Sequence, residues 1–221
     1  MRVRNFILII AATLLTASLA GCNSAPATEV ASAIQPGAVS ESNIKTLENL
    51  QAAYNGESNA NAKYLAFAKK ADEEGYGKVA SLFRAAARAE AIHIENHAKV
   101  IEMLGAKPAA DIKTAEVKTT AENLKAAIEG ESYERDTMYP EFLAEARRVG
   151  NRDAVRTFNL AKMAEAEHAR LYTDALANLE QWKGGPGTFY VCSTCGYTTA
   201  NGKIERCPVD FTPKEKFETI N

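Results

Sequence analysis

The sequence repeats one pattern of charged side chains in its two halves. Each half has a lone glutamate followed, 33 residues later in the first half and 34 in the second, by a Glu-x-x-His motif. The repeated residues are Glu57, Glu90 and His93 in the first half and Glu131, Glu165 and His168 in the second. Because side-chain chemistry is repeated together with its spacing, the chain is predicted to contain two copies of one structural unit packed together.

Residues 44–183 have the composition of long helices, being rich in Ala, Glu, Lys and Leu and nearly free of proline. Glycines predict tight turns at 75–77 and 149–151, and Gly and Pro predict a longer connection at 105–114. These breaks leave four helices of roughly 25 to 30 residues each. Two short turns around one long connection predict an all-α four-helix bundle over residues 44–183.

The glutamates of the repeat lie on the apolar faces of these helices. Glu131, for example, shares its face with Leu124, Met138 and Phe142. A buried carboxylate without a partner costs several kcal/mol, and four carboxylates that face one another repel. The four glutamates are therefore expected either to stay protonated or to surround a cation.

The histidines favour the cation. His93 and His168 each follow an inward glutamate by three residues, which places imidazole and carboxylate on one helix face. Four carboxylates and two imidazoles around one point suit two hard-to-borderline metal ions, as in carboxylate-bridged di-iron and di-manganese bundles. The pattern therefore predicts a two-metal site inside the bundle.

A fifth carboxylate breaks the symmetry of the repeat. Glu134 follows Glu131 by three residues, whereas the matching position after Glu57 is Ala60. The metal site is expected to have an additional acidic ligand on this side alone. In the alternative interpretation, Glu134 is a flank residue that pairs with a lysine or arginine.

The N-terminus has the pattern of a bacterial export signal. Arg2 and Arg4 precede a short apolar run, and Leu-Ala-Gly-Cys ends at Cys22. This ending resembles a lipobox, so residues 1–21 are predicted to be a lipoprotein signal peptide and Cys22 the lipidated residue. The alternative is an ordinary cleaved signal with a chance cysteine. Residues 22–43, rich in Ala, Ser, Pro and Thr, are predicted to be a flexible tether.

This pattern predicts where the protein is found. The apolar run is too short for a comfortable transmembrane helix, so membrane attachment is expected through the lipid anchor only. The protein is expected to be exported and anchored to a bacterial membrane, facing the periplasm or the cell exterior. With a net charge of −2, nothing in the composition indicates a nucleic-acid partner, which would require a basic face.

The motifs of the helical region resemble the rubrerythrin family. The matching stretches are Asn-Gly-Glu-Ser at 55–58, both Glu-x-x-His motifs, and Gly-Glu-x-x-Glu at 130–134 with Met-Tyr-Pro at 138–140. The resemblance implies a ferritin-like bundle that binds two iron ions. It further implies that Glu90 and Glu165 bridge the irons, that Glu57 and Glu131 are terminal ligands, and that His168 holds the second iron.

The resemblance also assigns the remaining residues around the irons. The first iron is implied to shift between His93 and Glu134 as its redox state changes. Tyr64 and Tyr139 fall where the family places tyrosines beside the metals. From the sequence pattern alone, these two tyrosines are equally well explained as aromatic residues of the core.

Residues 186–221 resemble a rubredoxin-like domain, in which two Cys-x-x-Cys hairpins hold one iron ion. The ligand positions here are Cys192, Cys195, Cys207 and Asp210, so the fourth is a carboxylate. Three interpretations stay open: iron with an altered potential, structural zinc, for which a carboxylate is an acceptable ligand, or a disulfide between two of the cysteines. Iron or zinc is favoured because the hairpin sequence is otherwise intact.

The resemblance implies a non-haem di-iron peroxidase that reduces hydrogen peroxide to water in oxidative-stress defence. Electrons would reach the bundle through the tail, which in this family commonly serves another subunit, so a homodimer is expected. An exported protein would take these electrons from an unidentified periplasmic or membrane donor. The rivals are a ferroxidase or iron-handling protein and a non-enzymatic metal-binding or peroxide-sensing lipoprotein. Asp210 favours the rivals somewhat, because it weakens the electron supply.

Overall fold

The computed structural model of the protein describes residues 40–221. The predicted signal peptide, residues 1–21, and the predicted lipidation site Cys22 lie outside these residues, as does most of the predicted tether, residues 22–43. The end of that tether forms a short 3-10 turn, Glu41–Asn43, which leads directly into the first long helix. Within the described part of the chain, every helix is too short or too polar to cross a bilayer.

Four long helices form the body of the protein, and the third is interrupted by a π-helical segment. A three-stranded antiparallel sheet follows the helices. The prediction of an all-α four-helix bundle with a small C-terminal β domain is therefore confirmed. The elements are α1 (Ile44–Glu73), α2 (Gly77–Met103), α3 (Thr120–Tyr133), the π segment (Glu134–Met138), α4 (Tyr139–Arg148), α5 (Arg152–Ala177), β1 (Phe189–Cys192), β2 (Thr198–Thr199) and β3 (Phe217–Ile220).

Local sequence signals place the helix ends. Gly75 and Gly150 have φ angles of +79° and +72° in the two short turns, a left-handed conformation that glycine adopts without strain. The helix α3 begins with a capping box, in which the Thr119 side chain and the Glu122 side chain each accept a backbone N–H of the other residue. The two short turns predicted from glycine therefore lie where the structure has them, whereas the long connection extends beyond the predicted residues 105–114, to the capping box at Thr119.

The π segment changes the face that the third helix presents after Glu134. A π turn holds one residue more than an α turn, so it rotates everything that follows. Tyr139 and Leu143 are consequently buried, at 0% and 3% exposure. Phe142, which a continuous α-helix was expected to place on the face of Glu131, is only partly buried. This part of the predicted apolar face is therefore wrong by one position.

The bundle core consists of two apolar clusters. One cluster contains Tyr64, Phe67, Phe83 and Tyr172, whose rings pack at centroid distances of 5.2 to 6.3 Å. The other contains Leu50, Ala53, Tyr139 and Phe158. On α1, Glu57 lies between Ala53 of one cluster and Ala60 of the other. The charged residues of the repeat thus form a polar layer between two apolar ones.

The long connection between α2 and α3 is fastened to α1 by amide side chains; we call residues 107–116 the crossover strap. Gln51, Asn55 and Asn59 follow one another at four-residue intervals on α1. They exchange hydrogen bonds of 2.7 to 3.2 Å with backbone groups of residues 107, 109, 111 and 113. The amide side chains of α1 thus satisfy backbone groups of an extended segment that has no strand partner among the described residues.

The C-terminal sheet has the strand order β2-β1-β3 and packs against the bundle of the same chain. Arg88 on α2 forms a two-pronged ion pair with Glu218 on β3, with both N–O distances 2.7 Å. The link from α5 to the sheet passes closely over the start of α2. A Cβ atom on Gly77 would lie 2.4 Å from the carbonyl oxygen of Gly184, so only glycine fits there.

Candidate metal centre

Six side chains of the repeat meet inside the bundle. All are buried, and the four carboxylates have no exposed surface. Each long helix contributes at least one of them, because the residues lie on faces that turn inward. They are Glu57 on α1, Glu90 and His93 on α2, Glu131 on α3, and Glu165 and His168 on α5.

These side chains form two groups of four that share two carboxylates. One group is Glu57, Glu90, His93 and Glu165; the other is Glu90, Glu131, Glu165 and His168. In each group, one ligand atom from every residue lies within 4.8 Å of the others. Glu90 and Glu165 belong to both groups, so the geometry provides two adjoining metal positions with two shared carboxylates.

The ligand atoms of the two groups are turned toward one another, but only some of them form hydrogen bonds. His93 Nδ1 lies 2.9 Å from both Glu90 Oε2 and Glu165 Oε1, and His168 Nδ1 lies 2.7 Å from Glu165 Oε2. Six buried atoms of the layer nevertheless have no partner with hydrogen-bond geometry among the described residues. They are Oε2 of Glu57, Oε1 of Glu90, Oε2 of Glu131, both Oε atoms of Glu165, and Nδ1 of His168.

Such orphaned oxygen and nitrogen atoms are what a cation would bind. Buried polar groups are nearly always hydrogen-bonded, and leaving one unpaired costs about 1–3 kcal/mol. Six unpaired atoms converging on two positions are therefore not a stable arrangement of the protein alone. The residues present fit two metal ions held by carboxylate oxygens and imidazole nitrogens.

Electrostatics give the same result. Burial and repulsion from Glu90 and Glu165 raise the pKa of Glu57 well above its usual value. Burial and repulsion from Glu165 raise the pKa of Glu131 to about 8. Burial lowers the pKa of His93, but the attraction and hydrogen bonds of Glu165 and Glu90 together outweigh it, so that the pKa is raised. The metal-free cluster therefore retains protons that bound cations would replace.

Two tyrosines connect the first and third helices through the terminal carboxylates. The Tyr64 hydroxyl on α1 donates to Glu131 Oε1 at 2.6 Å. The Tyr139 hydroxyl on α4 donates to Glu57 Oε1 in a short hydrogen bond. Both tyrosines, which the resemblance placed beside the metals, thus orient a carboxylate while their rings pack in the core.

The third histidine, to which the sequence assigned no role, lies beside the centre. His97 is fully buried, with Nε2 3.1 Å from the Tyr139 hydroxyl and Nδ1 3.0 Å from Thr157 Oγ1. Burial lowers its pKa to about 3, so His97 is neutral. Because the Tyr139 hydroxyl donates to Glu57, His97 donates through Nε2 and accepts from Thr157 through Nδ1. Its position four residues after His93, on the same helix face, was the available signal.

Glu134 lies apart from the two groups. It begins the π segment, is half-buried, and has no lysine or arginine partner within ion-pair distance in the described part of the chain. Burial, followed by repulsion from Glu57 and Glu131, raises its pKa well above the usual value. The fifth carboxylate therefore lies near the centre without joining either set of four.

The predicted tail ligands form a third group. Cys192, Cys195, Cys207 and Asp210 place one ligand atom each within 4.8 Å of one another. The Cys195 and Cys207 sulfurs are 3.5 Å apart, and all three cysteines are free, so none of them forms a disulfide with another. Asp210 Oδ2 lies 3.6 Å from the Cys192 sulfur. Asp210 Oδ1 accepts the Thr212 N–H at 2.9 Å, which fixes the carboxylate.

We call Cys192, Cys195, Cys207 and Asp210 the thiolate group, and the six glutamates and histidines of the repeat the bundle centre. Direct hydrogen bonds join the bundle centre to the C-terminal domain. His93 Nε2 donates to the carbonyl oxygen of Cys195 at 2.9 Å, and His168 Nε2 lies 3.1 Å from Thr198 Oγ1. Gly196 makes this approach possible, because a Cβ atom there would lie 2.5 Å from His93 Nε2. The expected pairing of a tail with another subunit's bundle is thus not required for this contact, which is made within one chain. The expected homodimer stays a prediction.

Four helices around paired carboxylate and histidine ligands, with a cysteine-rich sheet beside them, define a ferritin-like carboxylate bundle with a rubredoxin-like appendage. The sequence model of the rubrerythrin family matches residues 48–176. The chain belongs to the rubrerythrin family. Members of this family are in general di-iron oxidoreductases that serve in oxidative-stress defence.

Individual relatives support the assignment over most of the chain. Nigerythrin of Nitratidesulfovibrio vulgaris is 41% identical over 173 residues, covering 78% of this chain and 85% of that protein. Rubrerythrin-2 of Clostridium acetobutylicum is 35% identical over 191 residues, covering 82% of this chain and all of that protein. The structure of partially reduced nigerythrin superimposes with a TM-score of 0.73 at 39% identity, covering 79% of this chain and 86% of that one.

Proposed function

We propose that the protein is a di-iron peroxidase that reduces hydrogen peroxide to water and receives electrons through its C-terminal metal group. The observation that carries this proposal is the hydrogen bond between His93, a residue of the bundle centre, and the backbone of Cys195, a residue of the thiolate group. A centre that only stores or senses metal has no need of a second metal group in direct contact. Nigerythrin, a relative, has been described in an all-ferrous state, which supports iron as the metal.

The proposed ligands follow from the two groups. Glu90 and Glu165, common to both, would bridge the ions, with Glu57 and His93 on one and Glu131 and His168 on the other. When bound, two ferrous ions supply two electrons and the Lewis acidity for cleaving a peroxide O–O bond. In this proposal Glu134, whose pKa is raised by burial and by the charges of Glu57 and Glu131, would be the additional ligand that exchanges with His93, as the family resemblance implies.

The tyrosines and His97 hold protons beside the centre. The Tyr139 hydroxyl donates to Glu57 and accepts from His97, which in turn accepts from Thr157. Reduction of a peroxide to water consumes two protons. The hydrogen-bond chain from Thr157 through His97 and Tyr139 holds one proton at the Glu57 carboxylate. Tyr64 does the same at Glu131. The buried layer thus supplies proton donors while excluding bulk water.

A second candidate is a ferroxidase or other iron-handling role, and a non-enzymatic metal-binding or peroxide-sensing role is a third. The specific observation in their favour is Asp210. A carboxylate in place of a soft thiolate changes the affinity and the potential of the tail group, and so weakens the electron supply.

Mixing the diferrous protein with hydrogen peroxide or with oxygen separates these functions. We expect hydrogen peroxide to oxidise the centre in a single fast phase, with one peroxide consumed per two irons, and a small reductant to sustain turnover. Faster oxidation by oxygen than by peroxide, with ferric mineral accumulating, would instead establish a ferroxidase. Oxidation by neither reagent would leave only metal binding.

The proposed location is a bacterial membrane surface on the periplasmic or outer side, with attachment through lipidated Cys22. Changing Cys22 to Ser removes the atom that would carry the lipid. We expect the variant to leave the membrane fraction, or to stay uncleaved with a larger apparent mass. Fractionation and mass spectrometry of both proteins check this, and an Asn23→Ser variant serves as control. A Cys22→Ser protein that fractionates as wild type does would exclude the anchor.

An unidentified periplasmic or membrane carrier is the proposed electron donor.

A further inference from the structure

A surface cavity of about 270 Å³ opens beside the metal centre on the side where the repeat is asymmetric; we call it the entrance cavity. It is lined by Gly56, Asn59, Ala60 and Lys63 of α1, by residues 113–116 of the crossover strap, and by Glu134. The strap side is held in place by Asn59, which donates to Asp111 and accepts from the backbone N–H of Lys113. The cavity therefore has a fixed outer wall.

The entrance cavity adjoins the metal centre through α1 and the π segment. Glu57, a ligand without exposed surface, lies between Gly56 and Ala60 of the lining. Glu134 lines the cavity and is also close enough to Glu57 and Glu131 for their charges to raise its pKa. Because the centre itself is closed to solvent, a reactant needs a path inward, and on this side only α1 and the π segment separate the cavity from the ligands.

Small residues keep this wall thin. Ala60 occupies the position that Glu134 holds in the second half, so the first half has a methyl group where the second has a carboxylate. At Gly56, a Cβ atom would meet nothing within 4 Å. The space is therefore present because two side chains of α1 are short, and a longer side chain at residue 60 would fill it.

The size and the charge of the entrance cavity indicate what it admits. Hydrogen peroxide needs little more room than a water molecule, whose share of liquid volume is about 30 Å³. The lining has two lysines, Lys63 and Lys113, and two acidic residues, Glu116 and Glu134, of which Glu134 has a raised pKa. A lining without an excess of negative charge favours an uncharged molecule over a metal cation, and the volume leaves room for a short alkyl group.

We propose that peroxide reaches the metal centre through the entrance cavity and that Ala60 sets its width, so that the protein also reduces small uncharged alkyl hydroperoxides. This inference rests on the proposed peroxidase function. In the reaction the O–O bond of ROOH would break with two electrons that a bound ferrous pair would supply, and two protons would come from water through the buried hydroxyls. The products are one ROH and one water molecule.

Kinetics of an Ala60→Leu variant test the width. Leucine adds three carbons to the lining, so we expect kcat/KM for tert-butyl hydroperoxide to fall about tenfold or more, and for hydrogen peroxide less than about threefold. The control is Ala52→Leu, the same change at an exposed position of α1 away from the cavity. Asn59→Ala, which releases the strap, is expected to change the ratio in the opposite direction.

A labelling experiment tests access without using turnover. Cysteine is placed at residue 60, or as control at residue 53, which is buried on the same helix but does not line the cavity. The metal-free full chain then reacts with methyl and benzyl thiosulfonates. Wild type gives the background of native cysteines, and circular dichroism checks the fold. We expect Ala60→Cys to react much faster than Ala53→Cys, with the methyl reagent ahead of the benzyl reagent.

The outcomes separate this inference from the function on which it rests. Wild-type protein that reduces no peroxide of either kind would refute the peroxidase itself. If hydrogen peroxide is reduced but Ala60→Leu loses no more tert-butyl hydroperoxide activity than Ala52→Leu does, the entrance is wrong. Equal labelling of residues 60 and 53 would also refute it, whatever the kinetics.

Discussion

Replacing Glu165 by alanine is expected to empty the bundle of both metal ions. Glu165 belongs to both groups of four, and its two carboxylate oxygens lie 2.9 Å from His93 Nδ1 and 2.7 Å from His168 Nδ1. Burial raises the pKa of Glu165, but its two histidine neighbours outweigh this and lower it. Glu165 thus stays charged more readily than Glu57 or Glu131, whose pKa values are raised, and each metal position loses a ligand with it.

Metal analysis and thermal unfolding measure the effect. Each ion present at about 100 times its dissociation constant stabilises the native state by about 2.7 kcal/mol, so the variant is expected to lose that stabilisation for both positions. Glu167→Ala is the matched control, since Glu167 lies on the same helix and pairs outward with Arg170 at 2.7 Å. A Glu165→Ala protein that keeps two bundle ions would disprove the proposed ligand set.

The second large effect is expected at Asp210. Changing it to cysteine completes a set of four thiolates, because Asp210 Oδ2 already lies 3.6 Å from the Cys192 sulfur. A fourth soft ligand tightens iron binding and shifts its reduction potential. We expect the iron-loaded variant to show the red thiolate-to-iron absorption of a rubredoxin-like site. Steady-state peroxide turnover is expected to rise if electron supply limits the wild-type rate.

The visible spectrum, the metal content and the peroxidase rate of wild type, Asp210→Cys and Asp210→Asn are compared. Asparagine keeps the shape of aspartate and its bond to the Thr212 N–H, but removes the charge. It is therefore expected to bind iron or zinc more weakly than wild type does. The same four-thiolate spectrum in wild type and in Asp210→Cys would show that another group completes the site. An Asp210→Cys protein without bound metal would show that the tail has lost this capacity.

The helices and the paired metal positions could be predicted because both depend on the spacing of residues that are close together in the sequence. An inward glutamate followed by a histidine three residues later fixes a common face, whatever the helix packs against. His97, the entrance cavity and the docking of Cys195 on His93 depend instead on contacts between distant parts of the chain. The amide ladder of Gln51, Asn55 and Asn59 belongs to this second kind, since its partners are more than 50 residues away.

The π segment was missed for a different reason. No residue type marks it by its conformational propensity, and its only mark in the sequence is a difference in spacing. The two halves of the repeat differ by one residue in length, 33 against 34. The structure locates that residue between Glu134 and Met138, where one turn is wide. The unequal spacing is therefore the mark of this inserted residue in the sequence, although it does not indicate where the residue lies.

This insertion bears on the history of the chain. Tyr64 follows Glu57 by seven residues, which on a helix is a rotation of about 20° from the starting face, whereas the eight residues from Glu131 to Tyr139 would give about 80°. The wide turn cancels the difference, so each tyrosine reaches the terminal carboxylate of the opposite copy. If one ancestral helical hairpin was duplicated, the second copy acquired one residue and still kept the hydrogen bond from its tyrosine, Tyr139, to Glu57 of the first copy. The difference in length between the two copies is thus confined to the π turn, which begins at the unmatched Glu134, and the tyrosine–glutamate hydrogen bonds are preserved.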